Sequence, residues 1–224
     1  MSTLLARKEI MQLLAVVSIG WAAGQVLLRT APIGSDMSAS TVARGLLRDR
    51  SSPSREVRQP TLTLVVFTDF QCPACKLADP AMNAAVAEDG HVRIVYKDWP
   101  IFGSVSERAA QVAIAASRQG IYPKLHTRLM DERRPLSMQV MRESVEASRG
   151  NWPQVETDLR VHAAEIDDQL NHNSAAAVSL GVPGTPAFLA GPLLVSGALD
   201  EAGFAKAFAL GRKLERGLSV LPHG

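Results

Sequence analysis

Two cysteines separated by two residues stand at a predicted strand-to-helix junction, and this arrangement limits both the fold and the chemistry. An apolar, β-branched stretch from Thr61 to Phe67 leads into Cys72 and Cys75, and a helix-forming stretch from Lys76 to Ala87 follows them. The sequence has no other cysteine. A Cys-x-x-Cys pair in this setting is typical of a redox-active dithiol.

The two-residue spacing suits disulfide chemistry, because on a first helical turn it brings the sulfurs together without moving the backbone. Pro73 fits the first helical position, where a missing N–H costs nothing. Cys72 then lies at the helix N-terminus, where free N–H groups favour a thiolate, and Cys75 lies one turn inward and more buried. We therefore expect Cys72 to be the attacking nucleophile and Cys75 the resolving thiol. Ala74 can give the sulfur neither a hydrogen bond nor a charge.

Three other roles stay open for the pair: a structural disulfide, part of a zinc site, or two buried apolar thiols. Zinc usually needs four ligands, and neither a second cysteine pair nor a metal-ligand spacing of histidines accompanies the motif. We expect no metal and no cofactor beyond a redox-active Cys72–Cys75 disulfide. Binding of a soft ion such as Cu(I) is the alternative from another class, although no methionine or histidine cluster lies near the motif.

The N-terminal segment, residues 1–29, differs in kind from the rest. Arg7 and Lys8 precede a mostly apolar stretch over 10–28, which is long enough to cross a bilayer as a helix with its basic end in the cytoplasm. A cleaved signal peptide is the alternative, since 22–24 is a run of small residues. Both interpretations place the domain in the periplasm or another extracytoplasmic space, and we favour anchoring in the inner (cytoplasmic) membrane by residues 10–28.

Export matters because disulfides form and persist outside the cytoplasm. The net charge of +2 and the scattered basic residues give no footprint for nucleic acid. Residues 30–59 are rich in Ser, Pro and Arg, which predicts a linker, with a short helix over Thr41–Asp49.

The domain predicted over 60–216 begins with a βαβ pattern. His91–Tyr96 alternates as a second strand, so the two strands are expected to be parallel. Pro80 should kink the helix between them. Residues 104–180 then read as a block of helices, in which His126 is expected to be a core or surface residue.

Between the second strand and the helical block lies a loop in which Trp99 and Phe102 are expected to line a groove beside the dithiol or to pack in the core. After the helical block, the segment 181–189 carries two prolines and two glycines and leads into a short strand. A hairpin and a last helix from Asp200 to about Arg216 follow, and 217–224 is predicted to be a tail.

The motif Phe-Thr-Asp-Phe-Gln-Cys-Pro-Ala-Cys at 67–75, the helical block, and Gly-Val-Pro-Gly-Thr-Pro-Ala-Phe at 181–188 together resemble the DsbA-like branch of the thioredoxin-fold thiol–disulfide oxidoreductases. The resemblance covers 60–216. It implies an α/β, thioredoxin-like fold with an inserted helical domain. It also implies that Pro186 is a cis-proline facing the dithiol, and that the backbone of Thr185 binds a substrate strand.

The resemblance also implies partners and an activity. The substrates would be proteins with thiols or disulfides, and a membrane redox partner would reoxidise the dithiol. We expect an oxidase that donates disulfides, with a reductase or an isomerase as the alternatives that use the same site.

The chain departs from the family pattern at two positions. Several family members carry a buried acid six residues before the first cysteine, where this chain has Val66. Asp69 is nearer, but its odd offset from Val66 places it on the other face of an extended strand. We therefore expect Asp69 to stabilise a turn or lie at the surface, and tuning of the dithiol by Asp69, together with Pro73 and Ala74, is the alternative. Ala74 replaces the histidine found in strong oxidases, which weighs against strong oxidising power.

Overall fold

The apolar stretch before the cysteines forms the central strand of the fold. The structure is a computed structural model that describes residues 33–218. The elements, in chain order, are β1 (Ser35–Asp36), α1 (Thr41–Leu47), β2 (Ser54–Arg55), β3 (Leu62–Thr68), α2 (Pro73–Asp89), β4 (Val92–Asp98), α3 (Ser104–Ser117), α4 (Tyr122–Asp131), α5 (Met138–Ala147), α6 (Trp152–Val161), α7 (Ala163–Ser179), β5 (Ala187–Ala190), β6 (Leu193–Ser196) and α8 (Glu201–Leu218).

Within the described residues, the strands form one sheet in the order β1-β6-β5-β3-β4-β2. β3 and β4 are parallel, as the βαβ pattern predicts, whereas every other neighbouring pair is antiparallel. Thr68 and Asp98 are register partners at the carboxyl ends of β3 and β4. The loops that follow these two strands therefore meet at one edge of the sheet, where the cysteine turn begins.

Both faces of β3 are covered, and this explains its nearly continuous apolar sequence. On one face, Val65 and Phe67 belong to a buried cluster with Ala43 and Leu46 of α1 and Ala177 of α7. Elsewhere α2 and α8 pack against each other, and α8 also contacts β3, β5 and β6. The cysteine helix α2 thus packs against α8, which itself lies on the sheet, and against α4.

Residues 34–59 do not form the predicted linker. β1 pairs with β6, β2 pairs with β4, and α1 buries Ala43 and Leu46 in the core. The short helix expected in this stretch is present as α1, Thr41–Leu47. The domain boundary at residue 60 is therefore wrong, and the compact unit begins at Gly34. Two-residue edge strands need few apolar side chains, so their sequence resembles that of a loop.

The helical block predicted over 104–180 consists of α3 to α7. The side chains of Ser137 and Asn151 cap α5 and α6 by accepting backbone N–H groups. The last helix of the block returns to the sheet, where Asn173 of α7 donates a hydrogen bond to the backbone oxygen of Asp98 (3.0 Å).

The C-terminal part follows the sequence prediction closely. β5 and β6 form the expected antiparallel hairpin, and Asp200 caps α8 by accepting the N–H of Gly203 at 2.7 Å. The helix continues through Leu218, two residues beyond the predicted end of the domain. The rest of the predicted tail lies outside the described residues.

The predicted signal or membrane-spanning segment over 10–28 also lies outside the described residues. Among residues 33–218, no helix combines the length and the apolar character that a bilayer crossing requires.

Candidate active site

The turn between β3 and α2 presents the first cysteine at the start of the helix. Cys72 is the N-cap residue, and Pro73 occupies the first turn, where its missing N–H leaves no hydrogen bond unmade. The N–H of Cys75 donates to Cys72 Sγ at 3.3 Å. The sulfur thus takes the place that a serine or aspartate oxygen holds at an ordinary N-cap, facing the free N–H groups of the helix.

The second motif lies directly against the first. Cys72 Sγ lies 3.3 Å from the carbonyl oxygen of Thr185, to which the thiol donates. The Thr185–Pro186 peptide bond is cis, and Pro186 is buried. The structure therefore brings together Cys72 and Thr185, which are separated by 113 positions in the chain.

Both cysteines are free thiols and both are buried. Cys72 is 2% exposed and Cys75 is 3% exposed, so the expectation from the sequence that Cys75 would be the more buried of the two is wrong. Cys72 is covered by Thr185, whose carbonyl oxygen contacts its sulfur. Because Thr185 is far away in the sequence, the residue pattern of α2 alone does not reveal this burial. Burial raises the pKa of the Cys75 thiol to about 12. Pro73 is exposed and Ala74 half-buried, at the outer side of the turn.

Asp69 is buried and organises the turn. Its Oδ1 accepts the N–H of Gln71 and the hydroxyl of Ser106, both at 2.7 Å. Its Oδ2 accepts the N–H groups of Ile101 (2.7 Å) and Phe102 (3.1 Å). The side chain therefore joins three segments around the dithiol, a much larger role than the turn-stabilising or surface position expected from its offset along the strand.

Val66 is buried, and the acids near the dithiol come from other positions. Asp79 follows Cys75 by four residues and lies on the buried face of α2. Its Oδ1 is 3.6 Å from Nε2 of His126 on α4. Burial, together with the Asp131 carboxylate, raises the pKa of Asp79 to about 7, whereas burial lowers the pKa of His126 to about 3.

A second buried acid, Asp98, ends β4 beside Thr68. Its Oδ1 accepts the hydroxyl of Tyr122 at 2.6 Å. Burial raises the pKa of Asp98 to about 7, although the hydrogen bond from Tyr122 opposes this. Sequence reasoning missed both Asp79 and Asp98, and the available signal for Asp79 was its i+4 spacing from Cys75 on one helix face.

The aromatic residues of the loop after β4 have different positions. Trp99 is half-buried, and its ring meets that of Phe67 edge-on with centroids 6.5 Å apart. Phe102 is 49% exposed and its neighbour Ile101 is 44% exposed. Of the two roles expected for this cluster, Trp99 contributes to packing and Phe102 stands at the surface beside the cysteine turn.

Among residues 33–218, no group of three or more His, Cys, Asp or Glu side chains is arranged to hold a metal ion. At the start of α2 the site presents two free thiols, and the backbone carbonyl of Thr185 faces the first of them.

Solved structures with related folds include a thioredoxin-like oxidoreductase and a periplasmic thioredoxin-like protein. A thioredoxin-like oxidoreductase from Silicibacter pomeroyi is 30% identical, with a TM-score of 0.71 over 75% of this chain and 96% of that one. A periplasmic thioredoxin-like protein from Salmonella enterica serovar Typhimurium is 25% identical, with a TM-score of 0.65 over 78% and 98%. The catalytic domain of Proteus mirabilis ScsC shares the fold, with 24% identity and a TM-score of 0.69 over 79% and 97%.

Curated relatives are much longer proteins. The Na⁺/H⁺ antiporter NhaA 3 of Salinispora tropica is 29% identical over 139 residues, which are 60% of this chain and 21% of that protein. The antiporter NhaA 1 of Mycolicibacterium vanbaalenii is 25% identical over 155 residues, 68% of this chain and 25% of that protein. The chain thus spans about a fifth to a quarter of the length of the curated relatives it matches.

The family model described as "DSBA-like thioredoxin domain" matches residues 63–209, which include the cysteine turn, the helical block and the cis-proline loop. In the structure, the cysteine turn at the start of α2 and the cis Thr185–Pro186 loop are in contact. The two sequence motifs of the family therefore meet at one site. The chain belongs to the family of DSBA-like thioredoxin domains.

Proposed function

We propose that the chain is an exported protein-disulfide oxidase that donates the Cys72–Cys75 disulfide to thiols of protein substrates. The observation that carries this is the N-cap position of Cys72, whose sulfur accepts the N–H of Cys75 at 3.3 Å. Free N–H groups and the helix dipole stabilise negative charge on that sulfur. Stabilising the reduced form makes a dithiol a better disulfide donor.

The reaction has two exchange steps. A substrate thiolate attacks Sγ of Cys72 in the disulfide form, which makes a substrate–Cys72 disulfide and expels Cys75 as a thiolate that takes up a proton. A second substrate thiolate then attacks the substrate sulfur of this mixed disulfide and releases Cys72 as a thiolate. Two electrons pass from the substrate to the chain, and the substrate gains one disulfide.

The roles follow from burial and contact. Cys72 is the sulfur against the Thr185 carbonyl, next to the backbone of Thr185 and Pro186 along which a substrate strand would lie. Cys75 is buried, and its raised pKa keeps it protonated when the dithiol is reduced. Cys72 is thus the partner in the mixed disulfide. Cys75 is the leaving group in the oxidase direction and the resolving thiol when the exchange runs in reverse.

The proposed location is outside the cytoplasm. The apolar residues 10–28 support export and anchoring in the cytoplasmic membrane. The Salmonella neighbour in structure is described as periplasmic, and disulfides persist in that compartment. A membrane redox partner, taking two electrons from the reduced dithiol, would complete the cycle.

The test is the reduction potential of Cys72–Cys75 in glutathione buffers, together with alkylation trapping of the thiols in cells. A potential above that of glutathione and an oxidised protein in cells are the expected results. A low potential with a reduced protein would instead identify a reductase, with the same exchange steps run in reverse. An anaerobic Cu(I) titration tests the alternative that the chain is a copper-binding protein. Tight stoichiometric Cu(I) binding, with no Cys72–Cys75 disulfide at any redox potential of the buffer, would identify such a protein.

A further inference from the structure

A cleft of about 660 Å³ lies between α1 and α7, on the face of the sheet that these two helices cover. One part of its lining is apolar and the other part is polar. Val42, Leu46 and Ala176 belong to the apolar part, and Lys97, Gln169 and Asn173 belong to the polar part. Of the described residues that line this α1–α7 cleft, none comes from the cysteine turn or the cis-proline loop, so the cleft is separate from the dithiol.

The polar part contains a buried acceptor that the fold does not use. Asn173 is 1% exposed, and its Nδ2 donates to the backbone oxygen of Asp98 at 3.0 Å, which fixes the orientation of the amide group. Its Oδ1 has no hydrogen-bond partner within residues 33–218. Buried acceptors are nearly always paired, because leaving one unpaired destabilises the fold. Asn173 Oδ1 therefore offers a place for an N–H group of a bound molecule.

Two donors accompany this acceptor. Gln169 lies one helical turn before Asn173 on the same side of α7, and its buried Nε2 makes no hydrogen bond to the part of the chain that the structure describes. Nζ of Lys97 donates to Asp49 at 2.6 Å and to Ser52 at 2.8 Å. Since an ammonium group has three N–H donors, one is left for a group in the cleft. One acceptor and two donors complement a peptide group, which supplies an N–H and a carbonyl oxygen.

The charges at the cleft favour a cation. Glu165 and Asp168 both belong to its lining. Glu165 already forms ion pairs with Arg118 and His162. Asp168 is exposed, and its carboxylate makes no ion pair with any residue between 33 and 218. A basic side chain of a bound segment can pair with Asp168, whereas an acidic one would meet like charges.

The apolar part is open to a side chain of moderate size. Val42 and Ala176 are half-buried and pack against the core cluster that contains Leu46. Gly45, which also lines the cleft, leaves space, since a β-carbon placed on it would meet nothing within 4 Å. An aliphatic side chain that covers Val42 and Leu46 would remove apolar surface from water and so stabilise binding.

We propose that the α1–α7 cleft is a second binding site, which takes an extended peptide segment of another protein with an apolar residue next to a basic one. A peptide group of the segment pairs with Asn173 Oδ1 and Gln169 Nε2. The apolar side chain packs on Val42 and Leu46, and the basic side chain lies beside Asp168. The site works without the dithiol, because no residue of its lining contacts either sulfur.

The experiment follows the binding of short peptides to the ¹⁵N-labelled full chain by NMR titration. The main probe is acetyl-leucyl-lysine amide. Acetyl-leucyl-glutamate amide tests the preference for a cation, and a copy of the main probe with methylated amide nitrogens tests the hydrogen bond to Asn173. The side-chain amide signals of Gln169 and Asn173 report whether a peptide occupies the polar part of the cleft.

Three variants change the cleft itself. Gly45→Phe fills it from a position with free space, and Gly217→Phe on α8, where a β-carbon also meets nothing within 4 Å, is its matched control. Gln169→Met keeps the length of the side chain and removes the donor. Asp168→Asn removes the charge at the cleft. Its matched control is Asp167→Asn, which changes a neighbouring charge of α7 outside the lining.

The main probe should bind saturably and shift the signals of α1 and α7. The glutamate probe should bind about fivefold more weakly, and the methylated copy about tenfold more weakly. Gly45→Phe should weaken the main probe about tenfold, and Gln169→Met about three- to tenfold, the effects of losing an apolar contact and a hydrogen bond. Asp168→Asn should remove the preference for lysine over glutamate. Both control variants should keep the behaviour of the wild type.

Several results would overturn the site. If no probe shifts the signals of α1 and α7, water alone satisfies Asn173 and Gln169. Shifts confined to the residues around Cys72 would place the peptides at the dithiol. Equal binding of the methylated copy would exclude pairing with Asn173. An unchanged affinity in a Gly45→Phe variant that is folded by circular dichroism would exclude the cleft. Because no thiol exchange is measured, none of these results bears on the proposed oxidase.

Discussion

The carboxyl group of Asp79 lies 3.6 Å from Nε2 of His126, one helical turn beyond Cys75 and in the interior of the protein. The other oxygen of Asp79 accepts the side-chain N–H of Asn83 at 2.8 Å. Asn83 in turn accepts a hydrogen bond from Arg55 at 2.9 Å. The ring of His126 packs on Tyr96, with centroids 4.5 Å apart. The helix that carries the cysteines is therefore joined to α4 through a pair of titratable groups.

This pair predicts opposite pH dependences for two variants. Asp79 has a pKa raised by burial to about 7, so the folded state holds a proton that the unfolded state has lost, and stability falls as the pH rises from about 4 to 7. Asp79→Asn removes that loss. Its free energy of unfolding relative to wild type should rise by roughly 1–3 kcal/mol between pH 5 and pH 7.5 in urea titrations.

His126→Gln is the matched variant with the opposite sign. Burial lowers the pKa of His126, so the unfolded state binds a proton that the folded state does not, and stability is lost as the pH falls below about 6.5. The variant should therefore gain stability relative to wild type at acidic pH. Parallel pH profiles for both variants and wild type would show that neither group has a different pKa in the folded and unfolded states.

Alanine substitutions at two glycines of α8, Gly211 and Gly217, should affect stability differently, because only one of the two sites lacks room for a β-carbon. A β-carbon on Gly211 would lie 2.2 Å from the carbonyl oxygen of Ala190 in β5, whereas one on Gly217 would meet nothing within 4 Å. Gly211→Ala must push the helix off the sheet, which should cost about 1–3 kcal/mol of unfolding free energy. Gly217→Ala should be neutral or stabilise by a few tenths of a kcal/mol, because alanine is the better helix former.

Chemical denaturation of both variants checks this contrast. Equal stabilities for Gly211→Ala and Gly217→Ala would mean that α8 does not approach β5 as closely as the structure shows.

The reactive centre was predictable from sequence because its signals are local. A β-branched strand, a proline after Cys72 and a helix-forming run specify the turn by themselves, and the motif around Pro186 identifies its partner loop by resemblance. The burial of Asp69 and Asp79 was not predictable in this way. Each reads as an ordinary polar residue of a turn or of an amphipathic helix, and only packing against another segment shows that it is enclosed.

The edge strands were missed for a related reason. Ser35–Asp36 and Ser54–Arg55 join the sheet through backbone hydrogen bonds to strands far away in the sequence. Backbone pairing of this length leaves no periodic pattern of apolar side chains. The segment was therefore interpreted as a linker, although Lys97 of β4 and Asp49 join it to the sheet.

Breaking the buried Lys97–Asp49 ion pair should strongly lower the free energy of unfolding. Lys97 Nζ lies 2.6 Å from Asp49 Oδ2 and 2.8 Å from Ser52 Oγ, and the lysine side chain is 8% exposed. Lys97→Met leaves the Asp49 carboxylate without its cation and should cost about 3 kcal/mol in urea unfolding at neutral pH. Arg142→Met, which breaks an exposed ion pair with Glu146, is the control and should change stability little.

The Lys97–Asp49 pair also predicts that the folded protein loses stability at acidic pH. Although burial works to raise the pKa of Asp49, hydrogen bonds from Lys97, Ser52 and Ser51 hold it well below its ordinary value. The stability that the ionised Asp49 carboxylate contributes to the fold is therefore fully present above about pH 4 and is lost as the pH falls further. Lys97→Met should flatten this part of the pH profile. If Lys97→Met lost as much stability below about pH 4 as wild type does, the loss would come from carboxylates other than Asp49.

The last prediction concerns which cysteine meets the substrate. In Cys75→Ser, the Cys72 thiolate can attack a disulfide of a protein substrate and expel the other substrate sulfur as a thiolate. Because no Cys75 thiol remains to attack Cys72 Sγ and release the substrate, mixed disulfides should accumulate in cells and be visible on non-reducing gels. In Cys72→Ser, burial raises the pKa of the remaining thiol, Cys75, to about 12, so little thiolate forms and the variant should trap at least tenfold less. Mass spectrometry of the trapped species would give the cysteine and its partner. Equal trapping by both variants would mean that either sulfur is reached by substrates and that the position of Cys72 against the Thr185 carbonyl does not select the nucleophile.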